Sequence, residues 1–160
     1  IPGTPGLEHR IGGLEKWDET GHVSYDPENH NHMVMLRQEK VDIIANSFTD
    51  TEVYGEDSGE LLVLGWGGTY GAIRSAVQRS IVEKKSVSQI HLRNLNPIPK
   101  DLGEKLVKYG KVLIPELNLG QLNSIIRSKY LIDTESLNKV EGKPFTPSEI
   151  HTSINKILKG

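Results

Sequence analysis

The sequence predicts an α/β fold, a small mostly parallel sheet with helices on both faces, led in by an extended glycine-rich arm. Three observations carry this. The run Leu61-Leu62-Val63-Leu64 is continuous rather than alternating, as in a strand covered on both faces. Strand, helix and strand follow one another between Leu61 and Leu92, the length of a right-handed βαβ unit. A second unit of the same kind continues to Val112-Leu113-Ile114.

Residues 1–25 hold Gly3, Gly6, Gly12, Gly13 and Gly21 and show neither helical nor strand period, so they read as an arm that is mobile or lies on another surface. Asp26-Pro27-Glu28 then supplies a capping acceptor, a first-turn proline and an acid at the positive end of the helix dipole. The helix predicted from there to about residue 48 aligns Met33, Leu36, Val41, Ile43, Ile44 and Phe48 on a stripe that faces apolar neighbours. Arg37 and Lys40 fall in that stripe, their stems snorkelling to the rim or their charges meeting acids.

After turn signals at residues 55–59 and the strand at 61–64, a helix is predicted from Thr69, with Tyr70, Ile73, Val77 and Ile81 inward. The next strand is 87–92, ended by Pro97 and Pro99, and a short helix leads to the strand at 112–114. Leu119, Leu122, Ile126 and Tyr130 make one more helix face, and residues 137–140 a short edge strand. Thr146-Pro147-Ser148-Glu149 has capping-box order and opens a last helix, with Ile150, Ile154, Ile157 and Leu158 inward. The organisation expected is an arm, residues 1–25, and one α/β domain, residues 26–160, at a length of 160 residues that suits a single core.

Composition narrows the function classes. A net charge of −2 gives no global attraction to nucleic acid or to an anionic membrane. Cysteine is absent, which removes disulfides, a thiol nucleophile and any iron–sulfur cluster held by this chain. No purely apolar run exceeds four residues, the length of 61–64, far below the roughly 20 residues of a membrane span. With no signal peptide at its start the chain is expected in the cytoplasm, and its opening without an initiator Met reads as the middle of a longer protein.

Three groups of residues invite a chemical reading. Gly65, Gly67, Gly68, Thr69 and Gly71 close the first buried strand and open a helix, where a dinucleotide pyrophosphate or coenzyme A could meet backbone N–H groups. The third glycine comes one residue late for the dinucleotide fingerprint, and Arg93-Asn94 stands where a ribose-binding acid belongs, so a tight turn for close packing explains the loop without a ligand. His22, Glu28, His30 and His32 offer metal-ligand types, but His30 and His32 lie two apart on a helix and diverge. Glu116 follows the third strand directly, at the carboxyl edge where ligands of open α/β sheets gather; it reads as a loop brace or a partner contact ahead of a catalytic acid, since no nucleophile or second carboxylate is tied to it. Ser75 and Ser124 fall inside predicted helices without a nucleophile elbow.

Three long motifs bear a family resemblance: Gly65-Trp66-Gly67-Gly68-Thr69-Tyr70-Gly71-Ala72-Ile73, Ile90-His91-Leu92-Arg93-Asn94-Leu95-Asn96-Pro97-Ile98-Pro99 and Pro115-Glu116-Leu117-Asn118-Leu119-Gly120-Gln121-Leu122. With Ile1-Pro2-Gly3-Thr4-Pro5-Gly6, Gly13-Leu14-Glu15, Asp26-Pro27-Glu28-Asn29 and Asn138-Lys139-Val140-Glu141-Gly142-Lys143-Pro144-Phe145 they span nearly the whole chain. In this order they resemble the alpha subunit of 2-oxoglutarate:ferredoxin oxidoreductases. The resemblance implies a carboxyl-terminal portion similar to the last domain of transketolase-like enzymes, and a parent reaction in which 2-oxoglutarate is oxidatively decarboxylated to succinyl-CoA with ferredoxin reduced. It implies thiamine diphosphate, magnesium and an iron–sulfur cluster in the parent complex. It also implies the preceding alpha-subunit domain and the beta subunit as partners, with ferredoxin reached through the complex. None of the family's cofactor or oxoacid motifs falls in this chain, so the resemblance assigns no catalytic, cofactor-binding or metal residue here.

Overall fold

The computed structural model describes all residues except 2, 9, 10 and 160; Pro2 of the opening motif therefore lies outside the described residues. By its internal contacts the chain divides into two compact units, Ile1–Ser47 and Phe48–Gly160.

In the first unit, α1 (Pro27–Ile44) starts where the capping signal predicted, the Asp26 carboxylate accepting from the Asn29 N–H. It ends in a 3-10 turn, Ala45–Ser47, a few residues short of the expected end. Part of the arm lies along α1. Residues 15–24 fold back through an antiparallel bridge between Lys16 and Val23, and the Asn29 side chain, itself buried, donates to the Lys16 carbonyl at 2.9 Å. Arg37 meets an acid rather than merely snorkelling: it donates two hydrogen bonds to Glu15, at 3.1 and 3.2 Å. The predicted apolar stripe is the feature that differs. Leu36, Ile43 and Ile44 are exposed, because the described residues of the unit form no second α-helix to lay over them.

The second unit holds β1 (Val53–Tyr54), β2 (Gly59–Trp66), α2 (Tyr70–Val82), β3 (Val87–Leu92), α3 (Leu102–Leu106), β4 (Tyr109–Glu116), α4 (Gln121–Tyr130), β5 (Glu135–Asn138) and α5 (Pro147–Leu158). The sheet order is β1-β3-β2-β4-β5. All neighbours are parallel except β1 against β3. Alternation along β2 sends Leu61 and Val63 to one face and Leu62 and Leu64 to the other, and each face has its own core. Ile73 and Val77 of α2 and Ile150 and Ile154 of α5 cover the first. Leu102 and Leu106 of α3 and Leu122 and Ile126 of α4 cover the second.

Two helix faces are narrower than expected, with Tyr70 and Ile81 of α2 and Leu119, ahead of α4, exposed, and two strands depart from expectation. The two-residue β1 is too short for a periodic signal, and the sequence predicts no element at its residues. The edge strand β5 ends at Asn138 rather than running over 137–140, because its pairing with β4 stops at Glu116↔Asn138, after which the Lys139 N–H closes onto the Glu116 carbonyl at 3.0 Å. Val140, the last residue of the expected strand, lies beyond that pairing and is exposed. Among the described residues no helix is long and apolar enough to cross a membrane.

Candidate functional site

The chain leaves β2 toward β3 on one side and leaves β4 toward β5 on the other. The carboxyl ends of β2 and β4 therefore flank the switch point of the sheet, the crevice where open α/β folds usually take ligands. Here the protein's own side chains occupy it. Glu116, at the end of β4, is fully buried. Its carboxylate accepts from the Leu122 N–H at 2.8 Å and the Asn123 N–H at 3.0 Å, in the first turn of α4. Asn118 Nδ2 donates to it at 3.2 Å, and the Trp66 indole Nε1–H, from the end of β2, at 3.3 Å. A carboxylate beneath a helix N-terminus is favoured both by the free N–H groups and by the dipole. The arrangement locks β2, β4 and α4 together, which is the brace role; it presents no nucleophile or second acid for transfer chemistry.

The glycine loop is built for close packing. A Cβ on Gly65 would collide with Ile73 Cδ1 of α2 and come within 3.1 Å of Thr69 Oγ1. Thr69 closes the turn, its hydroxyl donating to the Trp66 carbonyl at 2.8 Å and accepting from the Trp66 N–H at 3.3 Å. Gly67 adopts a left-handed φ of +56°, which favours glycine there, whereas Gly68 and Gly71 face open space. The loop thus couples strand to helix through Gly65 and Thr69.

The remaining sequence candidates do not converge. His30 pairs with Glu15 at 2.7 Å and His32 with Asp18 at 2.8 Å, while His22 and Glu28 are exposed. Among the described residues no group of three or more His, Asp or Glu is placed to hold a metal ion. The Arg37 and His30 contacts pull the Glu15 carboxyl down to about 2. Ser75 lies in α2, and Ser124, in α4, donates to the Gly120 carbonyl. Sequence reasoning found Glu116 but missed Trp66 and Asn118 as its donors. It also passed over Gln89, buried mid-strand in β3, whose polarity inside a buried strand was a signal in plain view.

An open, parallel-cored α/β domain with its switch point sealed by an internal carboxylate is the class that fold and site define. A split-gene transketolase shares the fold, with a TM-score of 0.55 at 18% identity over 69% of this chain and 41% of that one. The 2-oxoglutarate:ferredoxin oxidoreductase from Magnetococcus marinus superposes with a TM-score of 0.89 at 33% identity, over 98% of this chain and 28% of that one. The 2-oxoglutarate oxidoreductase subunit KorA of Mycobacterium tuberculosis is 51% identical over 100% of this chain and 24% of its own length. The alpha subunit of 2-oxoacid:ferredoxin oxidoreductase 1 from Sulfurisphaera tokodaii is 26% identical over 91% of this chain and 24% of its own length. No protein-family model matches. The chain belongs to the family of KorA and related 2-oxoacid oxidoreductase alpha subunits, and it spans about a quarter of the length of those relatives.

Proposed function

We propose that this chain is the carboxyl-terminal structural and assembly portion of the alpha subunit of a 2-oxoglutarate:ferredoxin oxidoreductase of the cytoplasm. The observation that carries the reading is the match over the entire chain, 51% identical to a KorA subunit. In the parent reaction, 2-oxoglutarate loses carbon dioxide, its remaining acyl group passes to coenzyme A, and the electrons released reduce ferredoxin.

Thiamine diphosphate, magnesium and an iron–sulfur cluster would serve that reaction, and the residues present here do not fit the cluster or a protein-ligated metal ion. The chain has no cysteine for a cluster, and its described His, Asp and Glu side chains form no group of three around one point. Its own part is to fold rigidly and to present surfaces. Leu36, Ile43 and Ile44 on α1, and Leu117 and Leu119 beyond β4, are exposed apolar side chains, suited to the preceding alpha-subunit domain and the beta subunit.

The test is turnover by the purified chain given 2-oxoglutarate, coenzyme A, thiamine diphosphate, magnesium and a redox dye. Dye reduction no faster than without protein is the expected result. Sustained, 2-oxoglutarate-dependent reduction contradicts the reading.

A further inference from the structure

A cavity of about 670 Å³ opens between α2 and the β1–β3 edge of the sheet, within the size range of small-molecule sites. It is separate from the sealed crevice at Trp66 and Glu116. Arg74 of α2 and Arg93, just past the end of β3, stand on its walls, with Gln89 and His91 of β3 as floor. Among the described residues Glu52 is the only acid lining it, so two guanidinium groups against one carboxylate leave the lining net positive. Burial, and then the charge of Arg93, push the His91 imidazole below its ordinary value.

Gln89 is the telling residue. It is 2% exposed, and among the described residues neither its amide nitrogen nor its amide oxygen has a hydrogen-bond partner. Buried amides are normally paired. An apolar side chain of the same length would fill the position without orphaned groups, so packing alone gives no reason for glutamine. Tyr54 sits directly across from Gln89 in the β1–β3 register, and the Arg74 guanidinium lies on the Tyr54 ring. A cation held only by a ring face is free to turn toward a better partner.

We propose that this cleft binds the anionic oxygen group, phosphate or carboxylate, of a small molecule, with Arg74 and Arg93 as cationic clamps and the Gln89 amide as the buried hydrogen-bonding partner. Drawn by the anion, Arg74 turns from the Tyr54 ring into the cleft that Gln89 also lines. Guanidinium groups present paired donors that match either oxyanion. The proposal is independent of the assembly role.

The experiment is NMR titration of the chain, following the Gln89 side-chain amide and the Arg74 and Arg93 Nε signals. Inorganic phosphate and succinate are added in separate series, with sodium chloride at matched ionic strength as control. Saturable shifts with half-saturation below about 10 mM in either series are expected. Saturation by phosphate alone assigns a phosphorylated ligand, and by succinate alone a carboxylate. Arg93→Gln, at an exposed position, and Gln89→Met should each weaken binding about tenfold or more. Shifts no larger than those with chloride, or unchanged affinity in a folded Arg93→Gln variant, would overturn the proposal.

Discussion

Glu116 accepts hydrogen bonds from Trp66, Asn118, Leu122 and Asn123 in a fully buried position. Removing it leaves those donors without an acceptor in a dry site. Glu116→Ala should therefore lower unfolding free energy by about 3 kcal/mol in a urea titration; a loss under about 0.5 kcal/mol would mean water or other groups replace the carboxylate. The glycine loop gives a paired prediction. Gly65→Ala should destabilise by about 1–3 kcal/mol, because the new methyl meets Ile73. Gly71→Ala, in open space in the first turn of α2, should be neutral or stabilising by about 0.5 kcal/mol. Equal destabilisation by the two would contradict the packing role. At this scale the position of Glu116 was legible, because it followed a strand directly. Its donor Trp66 was not, because the partners lie fifty residues apart in sequence and only the β2–β4 pairing brings them together.

Among the elements, α5 shows how a local signal and a long-range contact combine. The capping box expected at Thr146 and Glu149 is present: Glu149 N–H donates to the Thr146 hydroxyl at 3.3 Å, and the Thr146 N–H donates to the Glu149 carboxylate at 2.7 Å. Thr146→Ala should cost about 1 kcal/mol in thermal or urea unfolding. The far end of α2 is tied to α5 by Glu83, which pairs with Lys85 and lies 2.9 Å from His151 Nε2. Lys85 first, and then His151, pull the Glu83 carboxyl from its ordinary 4.5 down to about 2. A depressed carboxyl stabilises fully above its unfolded value, and the contribution fades as pH falls from about 4.5 toward 2. Carbon-detected titration of Glu83 should give a midpoint near 2, moving up toward 4.5 in Lys85→Met; a midpoint already near 4.5 in the parent would remove the tie. The buried strands and the longer helices of the second unit were readable from apolar runs and stripes, and α1 from its capping signal rather than from its stripe, which is exposed. The strand β1 gave no such signal, and β5, read as an edge strand over 137–140, had its bounds displaced, since those bounds come from pairing with β4 rather than from its own residues.

At the scale of the whole molecule, a cysteine-free chain folds into an α/β unit whose usual ligand crevice is closed from within. Preceding it in the sequence is a helix carrying exposed Leu36, Ile43 and Ile44. The sequence already pointed to a scaffold through what it lacks in donors and nucleophiles. It could not reveal that the crevice is sealed, because that depends on strand order, which no local pattern encodes. The central claim is that these residues complete a larger subunit, and the most direct measurement is complementation. An alpha subunit lacking this region is co-expressed with the beta subunit, with and without this chain supplied separately, and 2-oxoglutarate-dependent ferredoxin reduction is measured in the purified complex. Activity that returns only when the chain co-purifies is the predicted result. Full activity and assembly of the truncated subunit without the chain would contradict it.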